Sequence, residues 1–217
     1  EKWLSNFSKI EKPYIKKSNG LSLKVQKNVR LCYKKEELTP LYGGNVSLLI
    51  NGGTFNTTNA CWEVSDKGKV ICCKIIWDVL PLILFWDMYL NGDVMFWNFK
   101  IDAREKLKLD RIRFGIVLND DYINWQADMF RGMLVRIAAD ENLSIPLRKL
   151  KGDDIYISSL NRNLPSIACF KPRRKGFFQI EINSENSGGG KFLNTVMENI
   201  YLNAGKQLKC EFQFKLK

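Results

Sequence analysis

Leu82-Ile-Leu-Phe-Trp-Asp-Met-Tyr-Leu-Asn-Gly-Asp-Val-Met-Phe-Trp-Asn-Phe-Lys-Ile101 is the stretch that decides the fold. Asn91-Gly92-Asp93 interrupts two apolar runs, and Asn-Gly tolerates the positive φ that a tight primed turn requires. After the turn, Phe96, Asn98 and Lys100 alternate with Met95, Trp97, Phe99 and Ile101. A period of two is the signature of a strand with one face buried. The stretch therefore reads as a β-hairpin.

The same signature extends in both directions. Leu21, Leu23 and Val25, then Val29, Leu31 and Tyr33, suggest two short strands, and Gly43-Gly44 introduces another over 46–50 that Asn51-Gly52-Gly53 closes. Further strands are expected at 60–64, 70–77, 111–118, 166–170, 177–182 and 208–216. A short one falls at 196–202, and 128–139 is ambiguous between strand and helix. Turn signals roughly every 8–12 residues with little helical periodicity predict an all-β antiparallel sandwich, with at most one or two short helices. Residues 21–217 form the sandwich domain in this reading, preceded by a basic arm over 1–20. Ser-Glu-Asn-Ser-Gly-Gly-Gly at 184–190 reads as a flexible loop.

Composition narrows the chemistry. The 217 residues contain no histidine, which excludes triads with an imidazole base, zinc sites built on histidine and histidine pH switches. No Ca²⁺ loop or phosphate-cradling glycine motif occurs, so neither a metal nor a cofactor is expected. The longest apolar stretch, 79–86, is bounded by Asp78 and Asp87 and is far short of the roughly 18 residues of a spanning helix. The chain opens Glu1-Lys-Trp-Leu without a methionine, which reads as an excised segment. Six cysteines without a C-x-x-C pair read as reduced core residues of a cytoplasmic protein, with Cys72 and Cys73 pointing to opposite faces of a strand. Four Asn-x-Ser/Thr sequons, at Asn6, Asn45, Asn56 and Asn142, point instead toward secretion.

The formal charge of +11 is concentrated at the ends: 1–40 carry +6 and 151–217 carry +5, whereas 41–100 carry −1. Five of the six tryptophans, Trp62, Trp77, Trp86, Trp97 and Trp125, lie between the basic ends. Sequence thus separates the cations from the aromatics, which makes nucleic acid a less favoured partner, although folding could reunite them. Lys171-Pro-Arg173-Arg174-Lys175 is the densest basic cluster. It is either a polyanion contact or a solvated turn.

Tryptophans at this density on strands can cover the apolar face of a sugar ring while nearby Asp and Asn side chains bond its hydroxyls. Trp62, Trp86, Trp97 and Trp125 are the candidates for a saccharide partner, each weighed against a place in the core. Asp120, Asp121, Tyr122 and Trp125 belong to one polar aromatic connection after a strand and could form the lip of a pocket. Paired carboxylates for glycosidic cleavage would come from Asp87, Asp93, Asp120, Asp121 and Asp128, though spacing gives no sign that any two converge.

Gly43-Gly-Asn-Val-Ser-Leu-Leu-Ile-Asn-Gly-Gly53, the series Trp62, Trp77, Trp86, Trp97 and the ending Leu202-Asn-Ala-Gly-Lys-Gln-Leu-Lys-Cys-Glu-Phe-Gln-Phe-Lys-Leu216 together resemble the galactose-mutarotase-like β-supersandwich domains of carbohydrate-active proteins. The resemblance implies carbohydrate recognition on a concave sheet. Its catalytic members rely on histidine with a glutamate, and this chain has no histidine to match. The resulting expectation is a non-catalytic carbohydrate-binding or accessory domain alongside other domains of a parent protein. A carboxylate-dependent carbohydrate-active enzyme and a basic polyanion-binding or protein-interaction module are the alternatives.

Overall fold

The computed structural model describes residues 12–40, 43–134, 141–150, 152, 154–170, 176–183 and 190–217. In chain order the strands are β1 Tyr14–Ser18, β2 Leu21–Val25, β3 Val29–Tyr33, β4 Glu36–Glu37, β5 Gly44–Ile50, β6 Gly53–Asn56, β7 Cys61–Lys67, β8 Val70–Ile76, β9 Leu82–Asn91 and β10 Val94–Ala103. They continue with β11 Leu107–Leu118, β12 Tyr122–Ala127, β13 Phe130–Met133, β14 Asn142–Leu147, β15 Asp154–Ser159, β16 Ile167–Phe170, β17 Phe177–Asn183, β18 Gly190–Leu202 and β19 Gln207–Leu216. One 3-10 turn, Thr57–Asn59, is the only helical element among the described residues.

The strands make an antiparallel sandwich. One sheet runs β1-β2-β3-β5-β11-β18-β17-β14, with β4 beside β3 and β6 beside β5; the other runs β13-β12-β15-β16-β19-β10-β9-β8-β7. The expected hairpin is present as β9–β10, with Asn91 opposite Val94. Its tight turn is Gly92-Asp93, where Gly92 alone takes a positive φ (61°). This is the arrangement with glycine at the first central position, so Asn91 ends the strand rather than forming the turn. Asn51-Gly52 is different: both residues have positive φ (49° and 79°), as the Asn-Gly pattern requires.

Several boundaries differ from the sequence reading. Tyr14–Ser18, within the basic arm, pairs with β2 along its whole length. The short strand expected at 196–202 begins at Gly190 and is one of the longest in the molecule, joining β11 to β17. Within 128–139, Phe130–Met133 is an edge strand on β12; residues 135–140 lie outside the described set.

The inner faces meet in one core that includes Val46, Leu48, Ile112, Phe114, Leu193 and Met197 from the first sheet and Ile71, Ile75, Leu84, Trp86, Trp97, Phe99 and Phe212 from the second. Aromatic contacts dominate its centre. Trp86 stands edge-to-face between Trp62 (centroids 4.8 Å apart) and Trp97 (4.9 Å), and Phe99 stacks on Phe114 at 3.9 Å. Glycine allows the first sheet to approach this cluster. A Cβ on Gly44 would lie 2.8 Å from the Trp97 ring, and one on Gly43, whose φ is +59°, would lie 2.0 Å from the Val29 carbonyl oxygen.

Across the mouth of the sandwich, Lys16 on β1 bonds Asp66 on β7 at 2.6 Å. The same ammonium reaches the Gly68 carbonyl in the β7–β8 turn. This ties the edge of one sheet to the edge of the other.

Candidate functional site

The outward face of the second sheet carries a cleft of about 880 Å³. Strand register determines what lines it, because alternate residues of each strand share a face. Cys72, Asp87, Asn98 and Glu211 occupy successive strands β8, β9, β10 and β19 in one row, each directly opposite the next, with Ser65 of β7 beside Cys72. Two residues along, Glu63, Lys74, Phe85, Lys100 and Lys209 form a second row. Two residues the other way, outside the lining of the cleft but on the same face, Tyr89 and Phe96 are cross-strand partners whose rings stack 4.8 Å apart and 6° from parallel.

The first row is rich in hydrogen-bond acceptors. Asp87 and Glu211 flank Asn98, whose Oδ1 is shielded from solvent and has no donor among the described residues. An acceptor left unpaired in this way loses the hydrogen bond it would have made to water. Glu211 accepts from Gln213 at 2.7 Å. Burial, and then a hydrogen bond donated to Asp87, push the Cys72 thiol up to about 11, so it is protonated at neutral pH. Neighbouring Cys73 faces the core, and its thiol is raised chiefly by burial. The second row holds ion pairs: Lys74 to Glu63 at 3.0 Å, and Lys100 to Asp102 at 3.0 Å, with the Lys100 ammonium 4.3 Å above the Phe85 ring. Lys209 comes from the basic C-terminal segment, so folding does bring part of the end charge to the central aromatics.

The tryptophans chosen from sequence lie elsewhere. Trp62, Trp86 and Trp97 are buried (4%, 0% and 3% exposed), so they cannot form an exposed platform for a sugar. The reason is the alternation itself: Trp97 shares the inward face with Met95, Phe99 and Ile101, and Trp86 shares it with Leu84 and Met88. Trp62 donates its indole N–H to the Thr57 carbonyl at 2.7 Å, and Trp77 donates to that of Asn56 at 3.1 Å.

The 119–125 connection is also different from a simple loop. Tyr122 begins β12, is wholly buried and donates its hydroxyl to the Pro165 carbonyl at 2.9 Å. Burial holds its phenol well above the usual range. Only Asp120 and Asp121 are exposed there. The Asn119 carboxamide oxygen accepts from the Asp121 amide at 2.9 Å, and Asp121 accepts from Asn161 at 2.7 Å, while buried Lys191 donates to the Asp120 and Tyr122 carbonyls.

Trp125 is buried against Gly132, but it edges a second cleft of about 720 Å³ with Asn124, Gln126, Tyr156 and Lys217. Of the carboxylates considered for catalysis, Asp87 alone lines the larger cleft. Asp93 sits in the β9–β10 turn, and Asp128 accepts from the Gly152 amide. The basic cluster Lys171, Arg173, Arg174 and Lys175 lies outside the described residues. No group of three potential metal ligands occurs among the described residues.

No protein-family model matches the sequence, and no curated protein matches it significantly. Solved structures do match. A galactose mutarotase-like protein from Lactobacillus casei superposes with a TM-score of 0.69 at 9% identity, covering 94% of this chain and 100% of that one. A galactose mutarotase related enzyme from Lactobacillus acidophilus gives 0.61 at 11% identity, covering 94% and 97%. A family 36 α-galactosidase from Geobacillus stearothermophilus gives 0.62 at 12% identity, covering 95% of this chain and 40% of that one. Two long antiparallel sheets, the paired glycines at the start of β5 and these superpositions agree: the chain has the galactose-mutarotase-like β-sandwich fold.

Proposed function

We propose that this is a carbohydrate-binding domain that holds a saccharide on the outward face of the nine-stranded sheet without transforming it. The observation that carries this reading is the arrangement around Asn98. The exposed acceptors Asp87 and Glu211, on either side of Asn98, have Phe85 of the cleft lining on one side and, beyond that lining, the stacked Tyr89–Phe96 pair on the other. Sugar sites combine these elements: aromatic surface for the C–H faces and side-chain acceptors for the hydroxyls. The likeness in fold to galactose mutarotase-like proteins and to part of a galactosidase supports a carbohydrate ligand.

The non-catalytic half of the reading rests on the residue inventory. The resemblance assigns the chemistry of its catalytic members to histidine with a glutamate, and histidine is absent from this chain. Asp87 and Glu211 do face one cleft, the one feature that favours a carboxylate-dependent enzyme. They are separated by β10, which puts their backbones roughly 10 Å apart at the usual strand spacing.

Isothermal titration against a panel of mono- and oligosaccharides tests the proposal. At least one glycan is expected to bind, and Asp87→Asn or Phe96→Ala should weaken it about tenfold or more. The same ligand should show no protein-accelerated anomer exchange or bond cleavage by NMR. A panel without heat, or binding indifferent to both substitutions, overturns the site. Accelerated exchange overturns the non-catalytic assignment.

A further inference from the structure

The cleft is unevenly charged, although Glu63 beside Lys74, and Lys67 of β7, also line it. Its first row presents carboxylate and amide acceptors from Asp87, Asn98 and Glu211. Its second presents ammonium groups from Lys74, Lys100 and Lys209, two residues or about 6.8 Å farther along the strands. Lys100 and Lys209 are direct cross-strand partners. Like charges in that position destabilise a sheet unless counter-charges offset them; Lys100 has its own in Asp102 and rests on the Phe85 ring, while exposed Lys209 has neither among the described residues. Lys74 and Lys100 each have a carboxylate partner at 3.0 Å, whereas Lys209 has no ion-pair partner among the described residues. The positive row is therefore incompletely neutralised on its β19 side, where it adjoins the acceptors.

A neutral sugar would use the acceptor row and leave Lys209 without a partner. We infer that the saccharide carries a negative group, a carboxylate or a sulfate ester, held over Lys209 beside Lys100 while its hydroxyls face the exposed Asp87 and Glu211. In a hexuronic acid the carboxylate on C5 lies across the ring from the C2 and C3 hydroxyls. That places acceptor and donors on opposite edges of one ring, as the two rows of the cleft are. This inference deepens the saccharide reading and rests on it.

Titrating the whole chain with galactose, galacturonic acid and galactose 6-sulfate separates the two. Galacturonic acid or the 6-sulfate should bind about tenfold tighter than galactose. That preference should fall to near unity in Lys209→Gln and in salt on the order of 0.5 M, where exposed charges are screened. Lys108→Gln, an equal change of charge on the other sheet, should leave the preference intact. The carboxylate and sulfate arms identify which anion is held. Binding of galactose as tight as that of both anionic sugars overturns the anion site and leaves the saccharide reading standing. So does a preference that survives Lys209→Gln. Absence of binding to any member of this set and of the wider panel overturns both.

Discussion

Replacing Trp86 by alanine should lower the stability of the domain by about 3–5 kcal/mol, the range for removing a buried large aromatic. For a domain of this size that is a fall in Tm of roughly 10 °C or more. Trp86 has no exposed surface and stands between Trp62 and Trp97, so its removal leaves a cavity and also ends two edge-to-face contacts. The cost does not collapse away easily, because the cavity's walls are rigid strands. Phe96→Ala, one strand away on the opposite face, should cost only about 1–2 kcal/mol, since its ring is half-buried and packs chiefly on Tyr89. Denaturant titration of both variants, with glycan titration of the same samples, checks the division of labour. Phe96→Ala should lose binding and keep the fold. A Trp86→Ala protein within about 1 kcal/mol of the parent would show that the tryptophan cluster is not the structural centre described above.

Gly43→Ala should be nearly as damaging, at about 2–5 kcal/mol, although it adds one methyl group. Two effects combine. At φ +59° a side chain meets its own backbone, and the new Cβ would sit 2.0 Å from the Val29 carbonyl oxygen, which is held in the sheet and cannot swing away. Gly52→Ala separates these effects. Gly52 has a similar φ of +79° but open space around its Cβ position, so only the backbone term applies, at about 1–2 kcal/mol. Midpoints in urea for the two variants measure the difference. Equal losses would mean that the approach to Val29 relaxes freely and that the glycine pair is present for its φ alone.

How far the sequence reveals this protein depends on distance along the chain. Alternation within 82–101 is local, so the hairpin and its two faces are legible, and the same rule recovers β5, β8, β17 and β19. Read strictly, it also places Trp97 inward and Phe96, Asn98 and Lys100 outward. The indoles, whose general chemistry suits sugar rings, are thereby turned into the core. β12 is harder to see because its start, Tyr122, follows Asp120-Asp121 and resembles a turn. β14 is harder still, because it is an exposed edge strand containing Pro146, which offers neither burial nor a full ladder to mark it. The cleft itself is not visible locally. Asn98 meets Glu211, and Lys100 meets Lys209, only through the pairing of β10 with β19, more than a hundred residues apart. Glu211 and Lys209 lie on the outward positions of an alternating strand, but no local pattern names their neighbours.

The burial of the five described tryptophans also has an optical consequence. With their indoles shielded from water and three of them within 5 Å of one another in a chain, these five should emit at blue-shifted wavelengths and share excitation by energy transfer. Phenyl rings, those of Phe85 and Phe99, and no indoles line the larger cleft. Emission from these five will thus follow unfolding faithfully while staying nearly silent to a ligand in the larger cleft, so a flat signal from them says nothing about whether that cleft is occupied.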